Sequence, residues 1–149
     1  IVLMLIGGSP GSTAGGMKTT TVAVLFANAI AVFQRREEGH FFGRRISVKA
    51  ACDAAAILLL YLTLFFFGGF IISSVEGLPL ADCLFETASA VGTVGLSLGL
   101  TPSLGLVSRG VLVFLMFMGR VGGLTLIYAA LAGAAKTGSK LPQERITIG

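Results

Sequence analysis

Charge is scarce in this sequence, and it is unevenly placed. Only 12% of the 149 residues are charged, against 54% hydrophobic, and the mean hydropathy is +0.92. Those values exclude a disordered chain and argue against an ordinary soluble domain. No Lys or Arg occurs between Lys49 and Arg109. Basic charge collects instead in residues 34–49 (Arg35, Arg36, Arg44, Arg45, Lys49) and in the tail (Lys136, Lys140, Arg145). No basic stripe is interleaved with aromatics, so nucleic acid is not an expected partner. There are only two cysteines, Cys52 and Cys83, at opposite ends of one apolar run. A helix of about 30 residues is about 45 Å long, so they cannot pair within the chain. No catalytic dyad or metal-ligand cluster is visible, and no enzyme is expected. The single histidine, His40, lies in the basic segment and reads as solvated. No basic n-region or cleavage site precedes the first apolar residues, so they are not a signal peptide. The chain begins without Met inside an apolar run, which reads as the C-terminal part of a longer protein.

Two long apolar runs are present, residues 54–75 and 110–135. Each can cross a bilayer at about 1.5 Å per residue. The link between them carries Glu76, Asp82 and Glu86. Basic residues favour the cytoplasmic side, so residues 34–49 and the C-terminus are expected inside and residues 76–108 outside. The link is too short and too polar to cross again. Residues 80–91 read as a short re-entrant helix, with Asp82 suited to its N-terminal dipole. The chain then breaks into small residues, Gly92 to Gly99. Irregular backbone at membrane depth survives only where protein buries it or it lines water. Thr93-Val94-Gly95 resembles the Thr-Val-Gly core of potassium filters, where carbonyl oxygens replace the ion's hydration shell.

Residues 1–6 are apolar but too short to span. Residues 7–21 follow, Gly-Gly-Ser-Pro-Gly-Ser-Thr-Ala-Gly-Gly-Met-Lys-Thr-Thr-Thr, whose glycines and Pro10 forbid a regular helix. Residues 22–33 then resume an apolar helical pattern. Together the two arms read as one span with a broken centre, and such helices present free backbone groups to ions or substrate. A phosphate loop is the alternative, giving a membrane-associated NTPase. Its spacing places lysine directly after the second glycine. Here Met17 follows Gly16 and the lysine is Lys18, one residue late. A purely structural membrane subunit is a further reading.

Ser47 is a plausible N-cap for the first long run, and Asp53 stands at i,i+4 from Lys49. Gly68-Gly69 allows close approach of another helix. Arg120 is the one charge within residues 110–135. An arginine at the bilayer centre costs roughly 2.5–3.5 kcal/mol on insertion scales, so it must find partners. Carbonyls freed at residues 8–16 are the obvious acceptors.

Three motifs then agree. Residues 7–21, residues 89–97 (Ser-Ala-Val-Gly-Thr-Val-Gly-Leu-Ser) and residues 119–126 (Gly-Arg-Val-Gly-Gly-Leu-Thr-Leu) resemble the KtrB/TrkH superfamily of potassium-uptake proteins. They look like its intramembrane loop, its fourth filter segment and the final helix around a pore-facing arginine. The ending, residues 142–149, resembles the family tail. Two departures are Ala14, where the family usually has Gly, and Gly123, where it often has Pro.

The resemblance implies an all-α integral membrane fold of four helix–pore loop–helix units. This chain would hold the last, broken helix of the third unit (1–34, loop 7–18), a cytosolic basic linker (35–49), the fourth unit (50–135) and a cytosolic tail (136–149). It implies K+ in a filter formed by Gly92, Thr93, Val94, Gly95, Leu96 and Ser97, with the carbonyls of Thr93, Val94 and Gly95 on the ion. Gly8, Ser9, Pro10, Gly11, Ser12, Thr13, Ala14, Gly15, Gly16 and Lys18 would form the gate loop, and Arg120 a latch or barrier. It further implies a plasma-membrane homodimer on a cytosolic nucleotide-binding ring of KtrA type. No cofactor is expected in this chain, and Na+ would be a possible coupling ion.

Overall fold

The computed structural model describes residues 1–34, 40–41 and 44–121. Five helices carry the described chain: α1 (Val2–Leu5), α2 (Thr19–Phe33), α3 (Val48–Glu76), α4 (Leu80–Gly92) and α5 (Leu106–Val121). A short antiparallel pair, β1 (His40–Phe41) and β2 (Arg44–Arg45), lies between α2 and α3. The expectation of an all-helical chain is therefore adjusted by two dipeptide strands within the basic linker. Residues 35–39, Gly123, the second half of the 110–135 run and the tail lie outside the described residues.

α3 is 29 residues long and apolar enough to cross a membrane. It starts where the cap chemistry places it: Ser47 Oγ accepts from the Ala50 N–H at 3.2 Å, satisfying one of the free donors of the first turn. It stops at Gly77, whose φ of 66° is the left-handed geometry of a helix C-terminus. Ser73 Oγ donates to the Leu78 carbonyl at 2.8 Å and binds the turn to the helix. Pro79 follows and fixes the entry into α4. Thr101–Ser103 form a single 3-10 turn before α5.

α4 is the buried centre. Cys83 and every residue from Glu86 to Gly92 are buried. Burial of seven consecutive residues cannot come from one helix face. The end of α4 is enclosed by α3, α5, α1 and the glycine loop. Its side chains are small or polar, which lets neighbouring backbones come close. The Gly68-Gly69 expectation holds here. A Cβ on Gly68 would stand 2.6 Å from Leu115 Cδ1, and one on Gly69 2.5 Å from Leu84 Cδ2. Tyr61, Ile72, Cys83, Val91, Leu112 and Leu115 fill the space among these helices. Cys52 is exposed, Cys83 is buried and both are free thiols.

Candidate functional site

The break between α1 and α2 is an ordered loop with a stitched base. The Gly7 N–H donates to the Met17 carbonyl at 2.6 Å, Met17 N–H to Leu5 at 3.3 Å and Thr19 N–H to Gly8 at 3.2 Å. Ile6 and Met17 form a parallel bridge. The chain thus leaves the loop heading as it entered, as one interrupted span requires. Met17 is buried, while residues 9–14 form the exposed part. Lys18 Nζ donates to the carbonyls of Ala14 at 2.7 Å and Ser12 at 3.4 Å. Its ammonium is engaged by the loop's own backbone.

The loop meets α4 and α5 at one junction. The Gly15 N–H donates to Thr93 Oγ1 at 2.9 Å. The Gly16 N–H donates to the Gly119 carbonyl at 3.0 Å. Arg120 Nη1 donates to the Thr13 carbonyl. Tyr61 from α3 also donates to Gly119, at 3.4 Å. Gly119 sits where α5 touches the end of α4; a Cβ there would fall inside the Val91 carbonyl. The expected contact between Arg120 and a loop carbonyl is present, and it fits the need of a guanidinium for acceptors.

Beyond the junction, Thr93 turns the chain. It caps α4 with φ 51° and ψ 40°, a conformation β-branched residues rarely adopt. Residues 94–98 have neither helical nor strand structure. Val94 N–H donates to Ser89 at 2.9 Å. Further on, Ser97 Oγ reaches Glu86 Oε1 at 2.6 Å, the Leu98 N–H the same oxygen at 2.9 Å, and Thr101 Oγ1 Glu86 Oε2 at 2.8 Å. Each step along the segment pairs with an earlier step of α4, so the chain runs back along its own helix. Gly95, at φ 83°, takes a conformation open to glycine.

Glu76 makes a similar tie at the end of α3, accepting from the Gly105 N–H at 2.8 Å and from Ser108 Oγ at 2.5 Å. It joins α3 to the start of α5.

Two concave spaces flank the 93–96 segment. One, about 500 Å³, is lined by Met4, Gly7, Gly8, Ala14, Thr93, Val94 and neighbours. The other, about 370 Å³, is lined by Ser89, Thr93, Gly95, Met116 and Arg120. The C-terminus of α4 points at this region and contributes partial negative charge. No carboxylate lines either space, and the second sets these dipoles beside the Arg120 side chain. No cluster able to hold a metal by His, Cys, Asp or Glu occurs among the described residues.

The sequence-derived residues divide clearly. Thr13, Gly15, Gly16, Thr93 and Arg120 come together. Pro10 and Gly11 lie at the exposed turn of the loop. Gly92 is the last residue of α4, whereas Thr93 to Ser97 leave it. Glu86, Glu76 and Tyr61 were not singled out as site residues. Glu86 carried one available signal, an acid within a short helix between apolar runs, where ionisable residues are costly and functional.

The TrkH family, described as cation transport protein, matches residues 1–137, and the chain belongs to it. It is 39% identical over 153 residues to the potassium/sodium uptake protein NtpJ of Enterococcus hirae, covering 99% of this chain and 34% of that protein. It is 34% identical over 149 residues to the Ktr system potassium uptake protein B of Bacillus subtilis, covering 100% of this chain and 33% of that protein. A 33% identity over 149 residues relates it to protein B of the Ktr system in Vibrio alginolyticus, covering 100% of this chain and 32% of that protein. The chain therefore spans about a third of the length of these relatives. The phosphate-loop alternative finds no support: Lys18 faces loop carbonyls, and the family is one of cation transport.

Proposed function

We propose that this chain forms part of the ion-translocating subunit of a potassium-uptake system. K+ passes along carbonyls of Thr93, Val94 and Gly95, with Gly92, Leu96 and Ser97 completing the segment. Residues 8–16 form a gate beneath it, braced from within by Lys18 and tied to α5 by Arg120. The observation that carries this reading is the junction of Gly15 with Thr93, Gly16 with Gly119 and Thr13 with Arg120. It puts an irregular loop against an irregular re-entrant segment, the pairing expected where backbone lines an ion path.

The rest of the pore would come from other units of that subunit. The membrane is the plasma membrane, with residues 35–49 and the C-terminus on the cytoplasmic side. A homodimer on a cytosolic nucleotide-binding ring of KtrA type completes the assembly. No resident cofactor is needed, and Na+ is a candidate coupling ion.

Competitive uptake of K+ and Na+ in a potassium-uptake-deficient host tests the filter. The full-length protein is compared with Gly95→Ser. A side chain at φ 83° strains the segment although the space around it is open, so preference for K+ should fall by about tenfold or more, the scale of a 1.4 kcal/mol change. Unchanged preference at matched expression removes the filter assignment.

A further inference from the structure

Glu86 does something the uptake reading leaves unassigned. Its carboxylate is buried, with 4% of the residue exposed. Yet it accepts from three donors, the hydroxyls of Ser97 and Thr101 and the N–H of Leu98. All three belong to the stretch that follows the 93–96 segment. A carboxylate only accepts, and its two oxygens can serve several donors at once. Bonds to an ionised acceptor are shorter and stronger than neutral ones.

Ser97 adds a second layer. Besides donating to Glu86, its Oγ accepts from the Gly99 N–H at 2.9 Å. Its hydroxyl also lies 3.1 Å from that of Thr101. One buried acid therefore organises the backbone from residue 97 to residue 101. Thr93 fixes the other end of the same segment through α4 and Gly15. The carbonyls between have both their ends defined.

We propose that Glu86 is a positioning residue for cation selectivity. It does not touch the ion. It fixes the outer end of the carbonyl segment, so that the spacing of Thr93, Val94 and Gly95 carbonyls suits K+ rather than Na+. This rests on the filter reading above. Without the carboxylate, the Leu98 N–H and two hydroxyls lose their common acceptor. The segment then relaxes, and its oxygens can close around the smaller ion.

The test uses the full-length protein in potassium-uptake-deficient cells at matched membrane amounts, reading the Na+/K+ uptake ratio and the apparent KM for K+. Glu86→Ala should raise the ratio about tenfold, the scale of losing a hydrogen bond to a charged group. It should raise KM more than it lowers the maximal rate. Glu86→Gln keeps an oxygen for Ser97 and Leu98, and its amide can donate to the Thr101 hydroxyl. It should recover most of the ratio. A merely structural role lowers uptake of both ions together and leaves the ratio unmoved. If Glu86→Ala does not reach the membrane, Thr101→Val decides; it removes one donor and should shift the ratio about threefold.

Gly95→Ser runs in parallel. A shifted ratio in Gly95→Ser with a wild-type ratio in Glu86→Ala or Thr101→Val overturns the role of Glu86 and leaves the filter standing. Gln no better than Ala overturns positioning, since shape would then be irrelevant. A wild-type ratio in Gly95→Ser overturns the filter and this inference together.

Discussion

The two ends of the segment 93–101 are held by different chemistry. The outer end rests on a buried carboxylate that accepts from Ser97, Leu98 and Thr101. The inner end is joined to the glycine loop by one neutral bond, Gly15 N–H to Thr93 Oγ1. Bonds to charged groups contribute roughly 1.5–3 kcal/mol and neutral ones about 0.5–1.5. The outer end is therefore anchored within its own unit. The inner end is tied to a loop that belongs to the preceding broken helix. On the proposed function, fixed geometry falls where discrimination is needed and a breakable tie where passage is controlled.

The sharpest way to break the comparison is to remove the inner tie with the loop that makes it. Deleting residues 12–15 takes away the Thr13 acceptor and the Gly15 donor at once. Flux should rise severalfold and lose its dependence on the cytosolic partner, while the Na+/K+ uptake ratio stays near wild type. Tracer uptake at matched expression measures both. Slower transport by a folded deletion protein makes the loop a support rather than a barrier.

Arg120 gives the next effect. Arg120→Ala should raise basal K+ flux without abolishing K+ preference. Arg120→Lys should restore closure only partly, because a point charge lacks the planar fork of a guanidinium. Equal flux for Lys and wild type would replace the hydrogen-bonded latch with a plain electrostatic barrier.

The smallest effect separates the two ends most cleanly. Thr93→Val removes the acceptor of the buried Gly15 N–H, a loss of about 1–3 kcal/mol. Basal flux should rise, by less than in the loop deletion. Thr93→Ser keeps the hydroxyl and should behave as wild type in flux. A Val variant with unaltered gating would show that the Gly15–Thr93 bond has no part in closure.

Several of these features could be read before any coordinates. Ser47 as cap, the helix over residues 80–91 and the break at residues 7–18 follow from local chemistry, and each appears within a residue or two. Arg120 was legible because an intramembrane guanidinium demands acceptors and the broken helix supplies carbonyls. Glu86 was not legible in that way. As a sequence letter it counts with Glu76 and Asp82 as acidic charge in an outer link. Its donors stand 11 to 15 positions later and reach it only once the chain folds back on α4. Thr93 was recognised as a candidate filter residue, but its left-handed turn was hidden, since β-branched residues avoid that geometry. The β1–β2 pair was hidden too, because four residues carry no period.

The stitched base of the glycine loop bears on the thermodynamics of the proposed opening. The ties of Gly7, Met17 and Thr19 lie within the interrupted span and travel with it. Among the described residues, the hydrogen bonds that cross the junction are those of Gly15, Gly16 and Arg120 to Thr93, Gly119 and Thr13. With two neutral links and one charged, they amount to about 2.5–6 kcal/mol in favour of the shut form. A binding event that inverts such a population must favour the open form by a similar amount, about 5.5 kcal/mol for a swing from 1:99 to 99:1. On the proposed gating, the resting form is then almost entirely shut, and one tightly discriminating regulator is enough to open most of it.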